Sequence, residues 1–153
     1  MSLQDRLLRA SRRPLVGRAA YLALKLLGVE FPREVAVEGP VELAHGAVGL
    51  VVHRATRLGA HIILMPGVVI GRSDSWVPPE TVAHLGGRVV VGDHVTLGAG
   101  AKVLFESGQE LVIAEGTIVG ANAVLRASTG PYEIWAGIPA RRVGVREPTG
   151  ARR

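Results

Sequence analysis

The chain has 153 residues, enough for one domain with a real core. Apolar residues make up 48% of it but aromatics only 4%, as suits a thin core of stacked Val, Ile, Leu and Ala. The lack of cysteine excludes disulfides and thiolate metal sites and is compatible with a reducing cytoplasm, and a net charge of +5 without interleaved aromatics argues against nucleic acid.

Residues 1–29 read as an N-terminal helical segment, with Pro14 as a break between two helices. Leu3, Leu7 and Leu8 form one apolar face, and the run from Ala19 to Leu27 is richer still. No stretch is long and apolar enough to cross a bilayer, and no secretory leader is evident. Basic residues crowd at both ends of the chain, from Arg6 to Arg18 and from Arg141 to Arg153. The helices are expected to pack across the first coil or a neighbouring subunit; the other reading is peripheral membrane contact of basic amphipathic type.

Residues 30–143 carry a six-residue beat. Val52, Leu58, Leu64 and Ile70 fall six apart, and the spacing returns at Val91, Leu97 and Val103, and at Ile113 and Val119. Four residues after these anchors come small or β-branched residues such as Thr56, Val68, Val95, Ala101, Thr117 and Ala123. Six fits neither a helix nor a free strand. It fits a chain that makes a short flat run, turns a corner and repeats, so that about eighteen residues make one turn of a parallel β-solenoid. A glycine directly after the anchor, as at Gly59, Gly92 and Gly98, suits a corner where a Cβ is costly.

Three places break the beat. Leu43 to Val52 is nine residues, with His45 among small neighbours in the disturbed stretch. Ile70 to Val91 is twenty-one, read as three hexads plus three, so that loop 72–88 bulges outward. Val103 to Ile113 is ten, a hexad plus four. Residues 144–153 are expected to be a loose tail.

Three segments carry a family resemblance: 43–53 with its histidine and following aliphatic run, Val91-Gly92-Asp93-His94-Val95-Thr96-Leu97-Gly98-Ala99-Gly100-Ala101-Lys102-Val103, and 119–124 followed by Trp135-Ala136-Gly137-Ile138-Pro139-Ala140-Arg141. In this order they resemble the hexapeptide-repeat acyltransferases of the serine acetyltransferase-like family. The resemblance implies a left-handed parallel β-helix, a homotrimer with active sites between subunits, and transfer of acetyl from acetyl-CoA to a small-molecule hydroxyl acceptor. Departures are visible. Only about thirty residues precede the coils, where metabolic serine acetyltransferases carry a long helical domain, and Ala44 stands where they usually have Asp. Serine and a sugar hydroxyl are therefore both open as acceptor.

Acetyl transfer needs a base for the hydroxyl proton, and imidazole titrates in the useful range. His45 matches the family's base. Glu30, fifteen residues upstream and close to one coil, is the expected orienting carboxylate, and the family has an acidic residue at about that offset. His84, in the long loop, is the candidate second histidine. The coenzyme slot implied by the resemblance runs past Gly98, Ala99, Gly100 and Ala121, with Arg126 and Arg141 for phosphates. Two other readings compete: a non-catalytic scaffold, and a solenoid metalloenzyme. His45, His53 and His61, eight residues apart, drift around a coil and do not line one edge, so no metal is expected.

Overall fold

The computed structural model describes residues 2–82 and 85–148. It begins with two helices. α1 (Leu3–Ser11) starts at a capping box, in which the Ser2 hydroxyl accepts the Asp5 N–H at 3.1 Å and the Asp5 carboxylate accepts the Ser2 N–H at 2.7 Å. α2 (Gly17–Leu26) follows after a break that contains Pro14. Leu8 of α1 and Leu24 of α2 plug the lower end of the solenoid, above which Val29, Phe31 and Val35 start the continuous core.

The coils follow as three short strands per turn. They are β1 (Ala36–Val37), β2 (Val41–Leu43) and β3 (Val51–Val52), then β4 (Thr56–Leu58), β5 (Ile62–Leu64) and β6 (Val69–Arg72). After the long loop, which holds a short helix α3 (Pro79–Val82), come β7 (Arg88–Val91), β8 (Thr96–Leu97) and β9 (Lys102–Phe105). The last full turn is β10 (Glu110–Ile113), β11 (Ile118–Val119) and β12 (Val124–Leu125). Three parallel sheets result: β1-β4-β7-β10 as the first face, β2-β5-β8-β11 as the second, and β3-β6-β9-β12 as the third. β13 (Glu133–Gly137) adds to the second face, and β14 (Ala140–Val145) folds back on it as an antiparallel hairpin.

The six-residue beat is the inward-facing set. Val52, Leu58, Leu64, Ile70, Val91, Leu97, Val103, Ile113 and Val119 are all 0 or 1% exposed. Four residues beyond seven of these anchors, Thr56, Ile62, Val68, Val95, Ala101, Thr117 and Ala123 are buried too, so these corners contribute to the core as well as the strands. Burying one such aliphatic side chain is worth about 1.5–3 kcal/mol. Glycine after the anchor answers a close approach rather than an unusual φ: a Cβ on Gly98 would lie 2.7 Å from the backbone nitrogen of Ala121 in the next coil.

Register shows where the beat was misdivided. The insertion-free turn pairs Val52 with Ile70, eighteen residues on. The turn with the long loop pairs Ile70 with Val103, thirty-three residues on, and Val91 stacks on Leu58 of the next face. Ile70 to Val91 is therefore one hexad plus fifteen, not three hexads plus three. The C-terminal boundary also moves. Gly144 and Val145 pair with Ile134 and Glu133, and Arg146 donates its N–H to the Tyr132 carbonyl at 2.8 Å, so order continues past residue 144.

Candidate active site

The corner between the second and third faces holds His45. Here the chain makes a tight left-handed turn, with φ of 50° at His45, 76° at Gly46 and 47° at Ala47. For a residue with a Cβ this conformation costs roughly 1–2 kcal/mol, so the surroundings must hold it. α1 does so. Asp5, 7% exposed, accepts the N–H of Leu43 at 2.8 Å, two residues before His45. Gln4 lies against Gly46 so closely that a Cβ there would sit 2.7 Å from its amide nitrogen. Burial opposes charge on Asp5, but the donors from Leu43 and Ser2 outweigh it and hold the carboxyl below its ordinary value.

His45 itself is exposed and opens into a cleft of about 740 Å³ across the outer side of the second face. Asp5 and Arg9 of α1, Glu42, His61, His94 and Arg146 line the same cleft. His61 and His94 occupy equivalent left-handed corners of successive coils, and their rings stack at 4.9 Å with planes 6° apart. Arg146 fastens that corner by donating to the carbonyls of Gly116 at 2.5 Å and His94 at 2.8 Å. The sequence reading did not single out this pair for the site, yet both residues fall three after an anchor, Leu58 and Val91.

Other expected residues lie elsewhere. Glu30 bridges to Val51 on the third face and pairs with Lys25 at 3.6 Å; no hydrogen bond joins it to His45 among the described residues. The reason is register. Glu30 to Val51 is twenty-one residues, so fifteen upstream of His45 is not one coil below it. His53 stands at the corner between the third and first faces, its Nδ1 accepting the Ala55 N–H at 3.1 Å and its ring edge-on to Phe105. Burial, then Arg72 and Arg54, push its pKa down. His84 lies outside the described residues. Among those described, no three His, Asp or Glu side chains converge as metal ligands.

Above His45 its corner continues as Met65–Val68, Gly98–Ala101 and Gly120–Ala123, topped by the β13–β14 hairpin. Gly49, Gly67, Gly100 and Asn122 stack directly here, all with positive φ, and Asn122 closes against Gly100. Gly98, Ala99, Gly100 and Ala121 thus share the histidine's corner, and their small side chains leave its outer edge open. Lys102 ties the edge by donating to the carbonyls of Gly67 at 2.9 Å and Gly100 at 2.6 Å. Arg141 is the second residue of the return strand, at the top of this corner. Arg126 does not belong to it. It follows β12 at the corner leading off the third face, and pairs with Glu106 at 2.7 Å. From the rung of β2 to that of β13 is four steps of about 4.8 Å, or about 19 Å of corner edge.

With this geometry in hand, known proteins give a consistent answer. No protein-family model matches the chain. The serine acetyltransferase of Mycobacterium tuberculosis is 30% identical over 138 residues, 88% of this chain and 54% of that protein. The soybean serine acetyltransferase apoenzyme superposes with a TM-score of 0.67 at 28% identity, covering 92% of this chain and 53% of that one. The Brucella abortus serine acetyltransferase, solved in complex with coenzyme A, superposes with a TM-score of 0.68 at 21% identity, covering 96% and 54%. The chain therefore spans about half the length of these relatives. It is a hexapeptide-repeat homologue of the serine acetyltransferases and has the left-handed parallel β-helix of that family.

Proposed function

We propose that the chain is an acetyl-CoA-dependent O-acetyltransferase with His45 as general base. The acceptor is a small molecule whose hydroxyl, of serine or of a sugar, enters the cleft beside α1. The neutral imidazole takes the hydroxyl proton as the oxygen attacks the thioester carbonyl. The tetrahedral intermediate then collapses, the carbon–sulfur bond breaks, and the imidazolium returns its proton to the leaving CoA thiolate. A positioned base of this kind is worth about 10²–10⁴-fold. Acetyl-CoA as donor implies a cytoplasmic reaction.

The observation that carries this reading is that His45 sits at the foot of a corner whose upper coils, Gly98–Gly100 and Gly120–Asn122, stack small residues into one continuous edge. An extended pantetheine arm laid along it would bring its thioester down to the imidazole, with Arg141 near the far end for phosphate. The B. abortus relative bound to coenzyme A and the soybean relative solved with serine support donor and acceptor class. Val48 and Val51, 56% and 39% exposed beside the His45 corner, support a homotrimer in which a neighbour closes the site.

The test is release of CoA thiol from acetyl-CoA with serine, homoserine and simple sugars as acceptors. Acceptor-dependent release supports the transferase and names its acceptor class. Silence with every acceptor, together with no acetyl-CoA binding by calorimetry, would favour a non-catalytic scaffold.

A further inference from the structure

Neither the cleft nor the corner edge uses the outer face of α2. That helix is apolar on both sides. Gly17, Ala20 and Leu24 face the solenoid, while Leu15 just before it and Leu22 and Leu26 within it are 97%, 59% and 90% exposed. Ala19, Leu22 and Leu26 follow the three-four spacing of one helical stripe, and Leu15 is exposed in the turn before it. A solvated helix face with this content lacks a partner.

Charge indicates which partner. From Arg12 to Gly28 the chain has four cations and no acidic residue. At the N-terminal end of α2, Arg12, Arg18 and Arg33 line one pocket of about 580 Å³ with Glu34 as its single acid. Arg12 is fixed there by donating to the Val35 carbonyl at 2.6 Å and by lying over the Phe31 ring. Burial and the neighbouring Arg33 both lower its pKa, so this cluster favours an anion. Lys25, farther along, is already paired with Glu30.

We infer that the exposed face of α2 and the Arg12–Arg18–Arg33 pocket form a docking surface for an anionic phospholipid membrane. The leucines enter the acyl boundary and the guanidinium groups take headgroup phosphate. Contact is peripheral, since no helix among the described residues is long and apolar enough to cross a bilayer. A second copy fits the same surface less well, because mating pocket to pocket would set Arg12, Arg18 and Arg33 against their own equivalents. The surface lies at the lower end of the solenoid and its test needs no catalysis, so it stands or falls apart from the transferase reading.

The test is cosedimentation of the full chain with vesicles of phosphatidylcholine alone or mixed with phosphatidylglycerol. Binding is expected only to the mixed vesicles, weakening as salt rises. Leu22→Gln/Leu26→Gln and Arg18→Gln/Arg33→Gln should each weaken it by about tenfold or more, with melting temperature and oligomeric state unchanged. The proposal is overturned by absence of binding to the mixed vesicles, or by equal binding to both kinds. It is also overturned if the leucine variant binds like wild type, or if that variant loses its oligomeric state, which would assign the face to a second copy. Full release by inorganic phosphate at constant ionic strength would assign the pocket to a free anion instead.

Discussion

The Asp5 carboxylate accepts the Leu43 N–H at 2.8 Å, joining the first turn of α1 to the strand that ends at the His45 turn, thirty-eight residues away. The same carboxylate takes both the N–H and the hydroxyl of Ser2, so one buried group caps the helix and docks it. The N-terminal helix is thereby a wall of the candidate active site.

Removing that carboxylate should loosen the turn. Asp5→Ala leaves the Leu43 N–H buried and unpaired, and a hydrogen bond to a charged group contributes about 1.5–3 kcal/mol. Unfolding in urea should show a loss of about 2 kcal/mol. Hydrogen exchange should show the Leu43 amide, protected in wild type, exchanging faster. An unchanged Leu43 exchange rate would mean that α1 does not hold this corner.

Gly98 marks the closest backbone approach between coils among the glycines of the His45 corner. Its Cβ would meet the backbone of Ala121 at 2.7 Å and of Gly120 and Val119 at 2.9 Å, and backbone has little room to yield. Gly98→Ala should cost about 1–3 kcal/mol by overpacking and weaken acetyl-CoA binding in calorimetry, since the corner edge must shift. Gly71→Ala is the control for chain entropy alone: its φ is not positive, and its would-be Cβ meets only the Val69 side chain, at 3.7 Å.

Thr56 takes an inward position filled by Ile, Val or Ala in most other coils and by Thr117 in one; it is 3% exposed, and its hydroxyl has no hydrogen-bond partner among the described residues. A buried hydroxyl without a partner costs about 1–3 kcal/mol relative to an apolar group of the same shape. Thr56→Val should raise stability by about 1 kcal/mol, read as a higher midpoint in urea with the same slope. A lower midpoint would show that the hydroxyl is satisfied.

The long loop carries its own acid-sensitive anchor. The Asp74 carboxylate accepts the Ser107 N–H at 2.9 Å and pairs with Arg72 at 3.1 Å, and the Ser107 N–H, ahead of Arg72, pulls its pKa from 3.8 to about 2. A carboxyl lowered on folding stabilises above its unfolded value and loses that effect as pH falls through the folded one. Wild type should therefore melt above Asp74→Ala at neutral pH, and the gap should close between about pH 4 and pH 2. A gap constant down to pH 2 would contradict the assignment.

The anchors and the residues four beyond them were legible because an eighteen-residue turn repeats inward-facing positions whatever the loops do. Insertions were less legible. A count between anchors cannot say whether Ile70 to Val91 spans one face or three, and only the pairing of Val91 with Leu58 decides it. The same weakness misplaced Glu30, since a sequence offset equals a coil only where no residue is inserted. Arg126 was misassigned because corner identity depends on strands that sequence spacing leaves unlabelled. His61 and His94 were within reach, three residues past their anchors in successive coils. The docking of Asp5 on Leu43 leaves no periodic trace, because it joins a helix to a strand through one side chain.

The central claim is that His45 supplies the base for acetyl transfer. The most direct measurement compares wild type and His45→Ala for acceptor-dependent CoA release at saturating acetyl-CoA, with acetyl-CoA affinity measured in parallel. The account predicts a fall of about 10²–10⁴-fold in turnover with coenzyme affinity nearly unchanged, because the coils above the turn stay intact. Full turnover by His45→Ala would contradict it.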